Sequence, residues 1–212
     1  MPTNSSPSFA PTSAWLRERF VVRQGKPLVG VKGFDPSLTG QPAQPLTPAA
    51  VLVPLVQRDT GMTVLLTQRT AHLRDHAGQV SFPGGRCEDG DASPEHTALR
   101  EAEEEVGLDP DQVEILGRLP EYRTGTGFVV TPVVGFVTPP LNLKLDDFEV
   151  AEVFEPPLDF LLDKANHQRQ TMEIRGQRHE FWAMPWQGYF IWGATAGMLV
   201  TLHRFLFERV DA

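Results

Sequence analysis

GGRCEDGDASPEHTALREAEEEVGL, residues Gly84 to Leu108, is the stretch whose reading decides this chain. Two glycines open it, a polar, turn-rich segment follows, and a helix crowded with carboxylates closes it. Ser93 suits an N-cap and Pro94 the first helical position, a pairing that satisfies orphan N–H groups and pre-sets φ. Glu95 sets a negative charge near the positive end of the helix dipole. Gly107 suits the left-handed residue that ends a helix, so the signals predict a helix from about Pro94 to about Val106. At roughly 100° per residue, Glu101, Glu104 and Glu105 fall within about a 100° arc. Leu99, Ala102 and Val106 occupy a separate arc that can face a core. Like charges on one face repel, and a hard divalent cation turns that repulsion into binding, because Mg²⁺ prefers carboxylate oxygens, water and substrate phosphates. The helix alone fits a solvated acidic face equally well. The glycine pair and turn directly upstream favour a site.

The rest of the composition narrows the function classes. A length of 212 residues, 41% hydrophobic and 22% charged, predicts one soluble domain with an extension or two small ones. The net charge of −8 argues against a nucleic-acid binder, so an anionic substrate has to be met by local cations or a metal. Cys87 is the single cysteine, which rules out an internal disulfide and a cysteine-rich zinc site. No apolar run approaches a membrane span. Met1 to Trp15 lacks the basic and apolar regions of a secretory leader, and Arg209–Ala212 is no peroxisomal address, so cytoplasm is the expected location.

Along the chain, Met1 to about Ser13 reads as a flexible tail, Trp15–Val22 as a short amphipathic helix, and about Gly25 to Pro48 as an irregular connection. Ala50–Val56 and Met62–Gln68 flank a turn and predict a hairpin. Gln79–Phe82, Val113–Leu119 and Val150–Phe154 read as strands, and Phe128–Val137 as an apolar strand broken by Pro132. A short helix is expected near Asp159–Leu162 and a second hairpin from Thr171–Ile174 and Glu180–Ala183. Ala194–Glu208 carries apolar residues at helical spacing. Strands with one acidic helix and one closing helix indicate an α/β fold with a mixed sheet.

Arg100-Glu101-Ala102-Glu103-Glu104-Glu105-Val106-Gly107-Leu108 resembles the second half of the Nudix box, apart from the small Ala102. The first half departs from the pattern. Asp91 stands where Glu is expected, with eight rather than seven residues between it and Arg100, and it is given no metal role. The resemblance implies a Nudix-type α/β/α sandwich over residues 46–212, after an N-terminal extension of residues 1–45.

Leu65 to Gly85, LLTQRTAHLRDHAGQVSFPGG, is similar to the signature of the coenzyme A pyrophosphatase branch of that family. Glu149–Phe154 with its Pro-Leu turn, and Ile191–Ala196, agree with it. The resemblance implies Mg²⁺- or Mn²⁺-dependent cleavage of coenzyme A and its thioesters to adenosine 3′,5′-bisphosphate and 4′-phosphopantetheine or its acyl form. Arg69, His72, Arg74, His76 and Arg86 would supply a cationic pocket for the phosphates. Gly84 and Gly85 would bring backbone N–H groups toward phosphate oxygens. Glu101, Glu104 and Glu105 are the expected metal ligands, joined by the Gly85 carbonyl by analogy with the family. Arg100 is expected to orient a carboxylate, and Glu104 or Glu105, then Glu149, to act as base. Two other readings stay open: a Nudix hydrolase for ADP-ribose or a dinucleotide, and a non-catalytic module that senses coenzyme A or a nucleotide.

Overall fold

In chain order the elements are α1 (Ser13–Arg23), β1 (Thr47–Arg58), β2 (Gly61–Val64), β3 (Leu66–Arg69), β4 (Val80–Ser81), β5 (Gly84–Arg86), α2 (Pro94–Val106), β6 (Val113–Arg118), β7 (Tyr122–Arg123), β8 (Phe128–Val137), β9 (Val150–Phe154), α3 (Leu158–Leu162), β10 (Gln168–Ile174), β11 (Gln177–Trp186), β12 (Tyr189–Trp192) and α4 (Gly193–Phe207). They come from a computed structural model, which describes residues 10–23, 26, 28, 30, 45–73, 76–174 and 176–208. The tail expected at Met1–Ser13 and the connection at Gly25–Pro48 lie largely outside those residues. Among the described residues, no helix is long and apolar enough to cross a membrane.

Strand alternation builds the layers. Ala50, Leu52 and Val56 of β1 enter one core with Val133 and Val137 of β8 and Ala98, Ala102 and Val106 of α2. Ala49, Val53 and Leu55 point the other way, to Val130, Val134 and Phe136 of β8 and to apolar residues of α1, α3 and α4. β1 and β8 run parallel, with Ala50 opposite Thr131 and Leu52 opposite Val133, while the other pairings of this six-stranded sheet are antiparallel. A central strand buried on both faces has to be apolar throughout, and burying each such Leu or Val contributes about 1.5–3 kcal/mol. The result is an α/β/α sandwich around a mixed sheet. Two three-stranded sheets, β4-β3-β9 and β10-β11-β12, complete the chain.

Several elements differ from the sequence expectation. Met62–Gln68 is two strands: Val64 pairs with Leu55 in the large sheet, whereas Leu66 to Gln68 pair with β9. Leu65, between them, turns into the core beneath α2. Pro132 does not break β8. It lies opposite Val51, and its carbonyl accepts the Leu119 N–H at 2.9 Å. Gly84–Arg86 is a strand because Gly84 and Gly85 pair with Val51 and Ala50. β12 forms a hairpin with β11 through Gln187 and Gly188, both at positive φ. On α2, Thr97 and Ala98 are buried, while Leu99 is only half-buried.

Candidate active site

The signals read at the ends of the acidic helix are the ones that fix it. Ser93 Oγ accepts the His96 N–H at 3.3 Å, and Gly107 closes the helix at φ 68° with its N–H on Glu103 O at 2.9 Å. Glu95 takes both arms of Arg118, at 2.6 and 2.7 Å, tying the first turn to β6. Asp91 latches the preceding loop. It accepts from Arg100 Nε and Nη2, each at 3.1 Å, from the Glu88 N–H at 3.0 Å and from Thr97 Oγ1 at 2.8 Å. The Arg100 guanidinium holds its carboxyl well below the usual range. With its oxygens engaged in this way, Asp91 is a structural residue, and the extra loop residue is absorbed in the turn that it closes.

Arg100 also donates to Glu104 Oε2 at 3.0 Å and to the Arg86 carbonyl at 3.2 Å, and lies 3.0 Å from Glu101 Oε1. The guanidinium therefore orients two carboxylates of the acidic arc. Those carboxylates sit in unlike surroundings. Glu105 is 7% exposed, the Glu101 side chain 17% and the Glu104 side chain 60%. Burial pushes the Glu105 carboxyl up to about 8. The charges of Glu101 and Glu149 add to this, and the Gly84 N–H and Arg69 oppose it. Glu101 is raised too, chiefly by burial, with Arg100 opposing. The Gly84 N–H donates to Glu105 Oε2 at 3.2 Å. The N–H expected to approach a phosphate is thus turned toward a carboxylate of α2 in this structure. A Cβ on Gly85 would lie 2.5 Å from Cδ and Oε1 of Glu101, so the strand passes directly against that carboxylate.

A strap from the far end of α2 completes the cluster. The N–H groups of Lys144 and Asp146 donate to the carbonyls of Val106 and Glu105, each at 2.9 Å. Thr70, just after β3, donates its N–H to Glu149 O at 2.9 Å and its hydroxyl to Phe148 O at 2.7 Å. Glu149 Oε2 then lies 3.8 Å from Arg69 Nη1, and Arg69 Nε is buried without a hydrogen-bond partner. An unpaired buried donor costs about 1–3 kcal/mol, which a bound anionic oxygen would remove.

The fold thus gathers Arg69, Gly84, Gly85, Glu101, Glu105 and Glu149, with Glu104 and Arg100 at the margin. Other expected residues stand apart. His76 is exposed, with Nδ1 2.9 Å from Gln79 Oε1 in a turn. The Arg86 guanidinium lies 5.3 Å over the Phe128 ring. Arg74 lies outside the described residues. Glu152, next to the strap, is bonded by the Tyr189 hydroxyl at 3.1 Å. The sequence reading missed the anchoring by Thr70 and the strap itself, whose bonds are mostly backbone and leave no mark in residue type. A cavity of about 480 Å³ walled by Phe20, Arg23, Leu116, Leu119 and Phe205 lies elsewhere, and none of the clustered residues lines it.

Among the described residues, no three of His, Cys, Asp or Glu close into a ready metal cage. The cluster nevertheless fits a hard divalent cation that keeps several waters and takes only a few carboxylate oxygens. A buried carboxyl raised to about 8 beside two further carboxylates is an arrangement that such a cation would stabilise. A titration follows. Cation binding must displace the Glu105 proton, so Mg²⁺ affinity should rise up to about tenfold per pH unit between about pH 6.5 and 8 and level off above. A flat calorimetric profile over that window contradicts the geometry. Without metal the effect on stability has the opposite sign. The folded-state value is above the ordinary 4.5, so the contribution of Glu105 is full below about pH 4.5 and lost as pH rises through about 8.

Residues 46–173 match the family model of the NUDIX domain. The uncharacterized Nudix hydrolase NudL of Escherichia coli (strain K12) is 48% identical over 151 residues, covering 71% of this chain and 78% of that protein. NudL of Shigella boydii serotype 18 matches over the same shares at 48% identity. Among solved structures, the Nudix hydrolase RenU from M. smegmatis is 25% identical, covers 61% of this chain and 79% of its own, and superposes with a TM-score of 0.47. The NUDIX domain of Shewanella oneidensis NrtR, solved with ADP ribose, is 26% identical over 61% of this chain and 81% of its own, with a TM-score of 0.43.

Proposed function

This chain belongs to the Nudix family of hydrolases, and from that premise we propose that it cleaves the diphosphate of coenzyme A and its thioesters. The products are adenosine 3′,5′-bisphosphate and 4′-phosphopantetheine or its acyl form. One observation carries this reading. The segment 65–85, whose sequence resembles the coenzyme A branch, folds into β3, β4 and β5; its Gly84 and Gly85 lie against Glu105 and Glu101 of α2, and its Arg69 faces Glu149 of the strap.

In this reading Glu101 and Glu105 hold Mg²⁺ or Mn²⁺, with Glu104 and the Gly85 carbonyl as further ligands. When bound, the cation would neutralise phosphate charge and lower the pKa of a water. Arg69 takes a non-bridging phosphate oxygen with the Nε that is otherwise unpaired. Glu149, on the strap beside it, accepts the proton of the water that attacks phosphorus as the bridging P–O bond breaks. Glu149 suits that role better than Glu105, whose carboxylate already takes the Gly84 N–H, and better than the exposed Glu104. Arg100 and Asp91 hold the helix and its carboxylates in register.

The test is a comparison of kcat/KM for coenzyme A, ADP-ribose and NADH on one protein preparation with Mg²⁺. Coenzyme A should lead by about tenfold or more. ADP-ribose turned over as well or better would overturn the substrate assignment and leave a diphosphatase of another branch.

A further inference from the structure

Phe148 is 62% exposed, and its ring centroid lies 4.9 Å from that of His72 at an interplanar angle of 59°. Exposure of one apolar ring means little by itself. What distinguishes this residue is how firmly its backbone is held and beside what. Its carbonyl accepts the Thr70 hydroxyl at 2.7 Å, its N–H donates to Asp146 Oδ1 at 2.9 Å, and the Asp146 N–H donates to Glu105 O at 2.9 Å. A run of hydrogen bonds therefore joins the backbone that carries the exposed ring to the carboxylate helix. The next residue, Glu149, faces Arg69, and His72 follows Thr70 on the same anchored segment.

We propose that His72 and Phe148 form a lip on which the nucleobase of the substrate stacks. The proposal rests on the reading of the cluster as a nucleoside diphosphate hydrolase. In such a substrate the base stands one ribose away from the phosphates, and the lip borders the Arg69–Glu149 pair, with Phe148 next to Glu149 and His72 three residues beyond Arg69. An exposed aromatic ring on an anchored backbone, with an imidazole beside it, suits a flat heterocycle. The amide-bearing thiol arm of coenzyme A would instead call for hydrogen-bonding groups along its length. Stacking of one base on an aromatic side chain is worth about tenfold to a hundredfold in affinity.

The experiment measures binding of adenosine 3′,5′-bisphosphate, AMP and 4′-phosphopantetheine by calorimetry to the full chain and to Phe148→Ala, Phe148→Leu and Phe148→Trp. Because the ring is exposed, all three variants should fold, which thermal unfolding checks. Phe148→Ala should weaken both adenine nucleotides about tenfold or more and leave phosphopantetheine unchanged. Phe148→Trp should restore binding, and Phe148→Leu should not. Restoration by leucine, selective loss of phosphopantetheine, or no adenine nucleotide bound by the unaltered chain would each overturn the lip. If ADP-ribose rather than coenzyme A is the substrate, the AMP measurements still decide the matter, so the two readings fail separately.

Discussion

Glu105→Gln should lower coenzyme A turnover by about three to five orders of magnitude and leave the protein folded. Glutamine has nearly the same shape, and its amide oxygen can still accept the Gly84 N–H that meets Oε2 at 3.2 Å. What disappears is the charge, in a carboxyl that is 7% exposed and faces the charges of Glu101 and Glu149. A neutral group there ends a repulsion that the Gly84 N–H and Arg69 offset only in part. The metal-free variant should accordingly unfold at a temperature no lower than the unaltered chain, and at a higher one above about pH 8, where Glu105 would be ionised. Turnover at saturating Mg²⁺ and a pair of melting curves decide it. Near-normal activity removes Glu105 from the site.

Gly85→Ala should cost about a hundredfold to a thousandfold in activity with little change in stability. Gly85 is not at a positive φ, so its backbone accepts alanine. The added methyl would nevertheless lie 2.5 Å from Cδ and Oε1 of Glu101, and that carboxylate has to swing aside. Displacing one carboxylate of the cluster by about an ångström is enough for such a loss. Gly84→Ala supplies the contrast. Its Cβ would lie 2.5 Å from Ala50 O and 2.6 Å from Val51 Cα, at φ 155°, so β5 itself should come off β1 and the melting temperature should fall. If Gly85→Ala retains activity, the strand does not set the position of Glu101.

The helix and its caps were legible because Ser93, Pro94 and Gly107 act locally, through φ and a few N–H groups. The long apolar strands were legible as well, since β1 and β8 are buried on both faces and need no alternation. Partition among sheets was not. Nothing in the run Met62–Gln68 marks the change of sheet at Leu65, which arises from pairing with distant β9. The three glutamates formed one arc on the helix in sequence. Their division into buried Glu105, half-buried Glu101 and exposed Glu104 depends on β5 and the 144–149 strap. The same holds for Gly84. Its N–H looked available to a phosphate, yet the neighbouring helix supplies a carboxylate to accept it. Asp91 shows the reverse: a departure from the family pattern in sequence becomes a well-bonded latch once Arg100 and Thr97 are placed around it.

The most direct measurement is incubation of the full chain with coenzyme A and Mg²⁺ or Mn²⁺, with and without EDTA, and separation of the products by mass. The expected result is adenosine 3′,5′-bisphosphate and 4′-phosphopantetheine in equal amounts, with neither formed in EDTA. Intact coenzyme A, or cleavage that persists in EDTA, would contradict metal-assisted hydrolysis of coenzyme A at the α2 carboxylates.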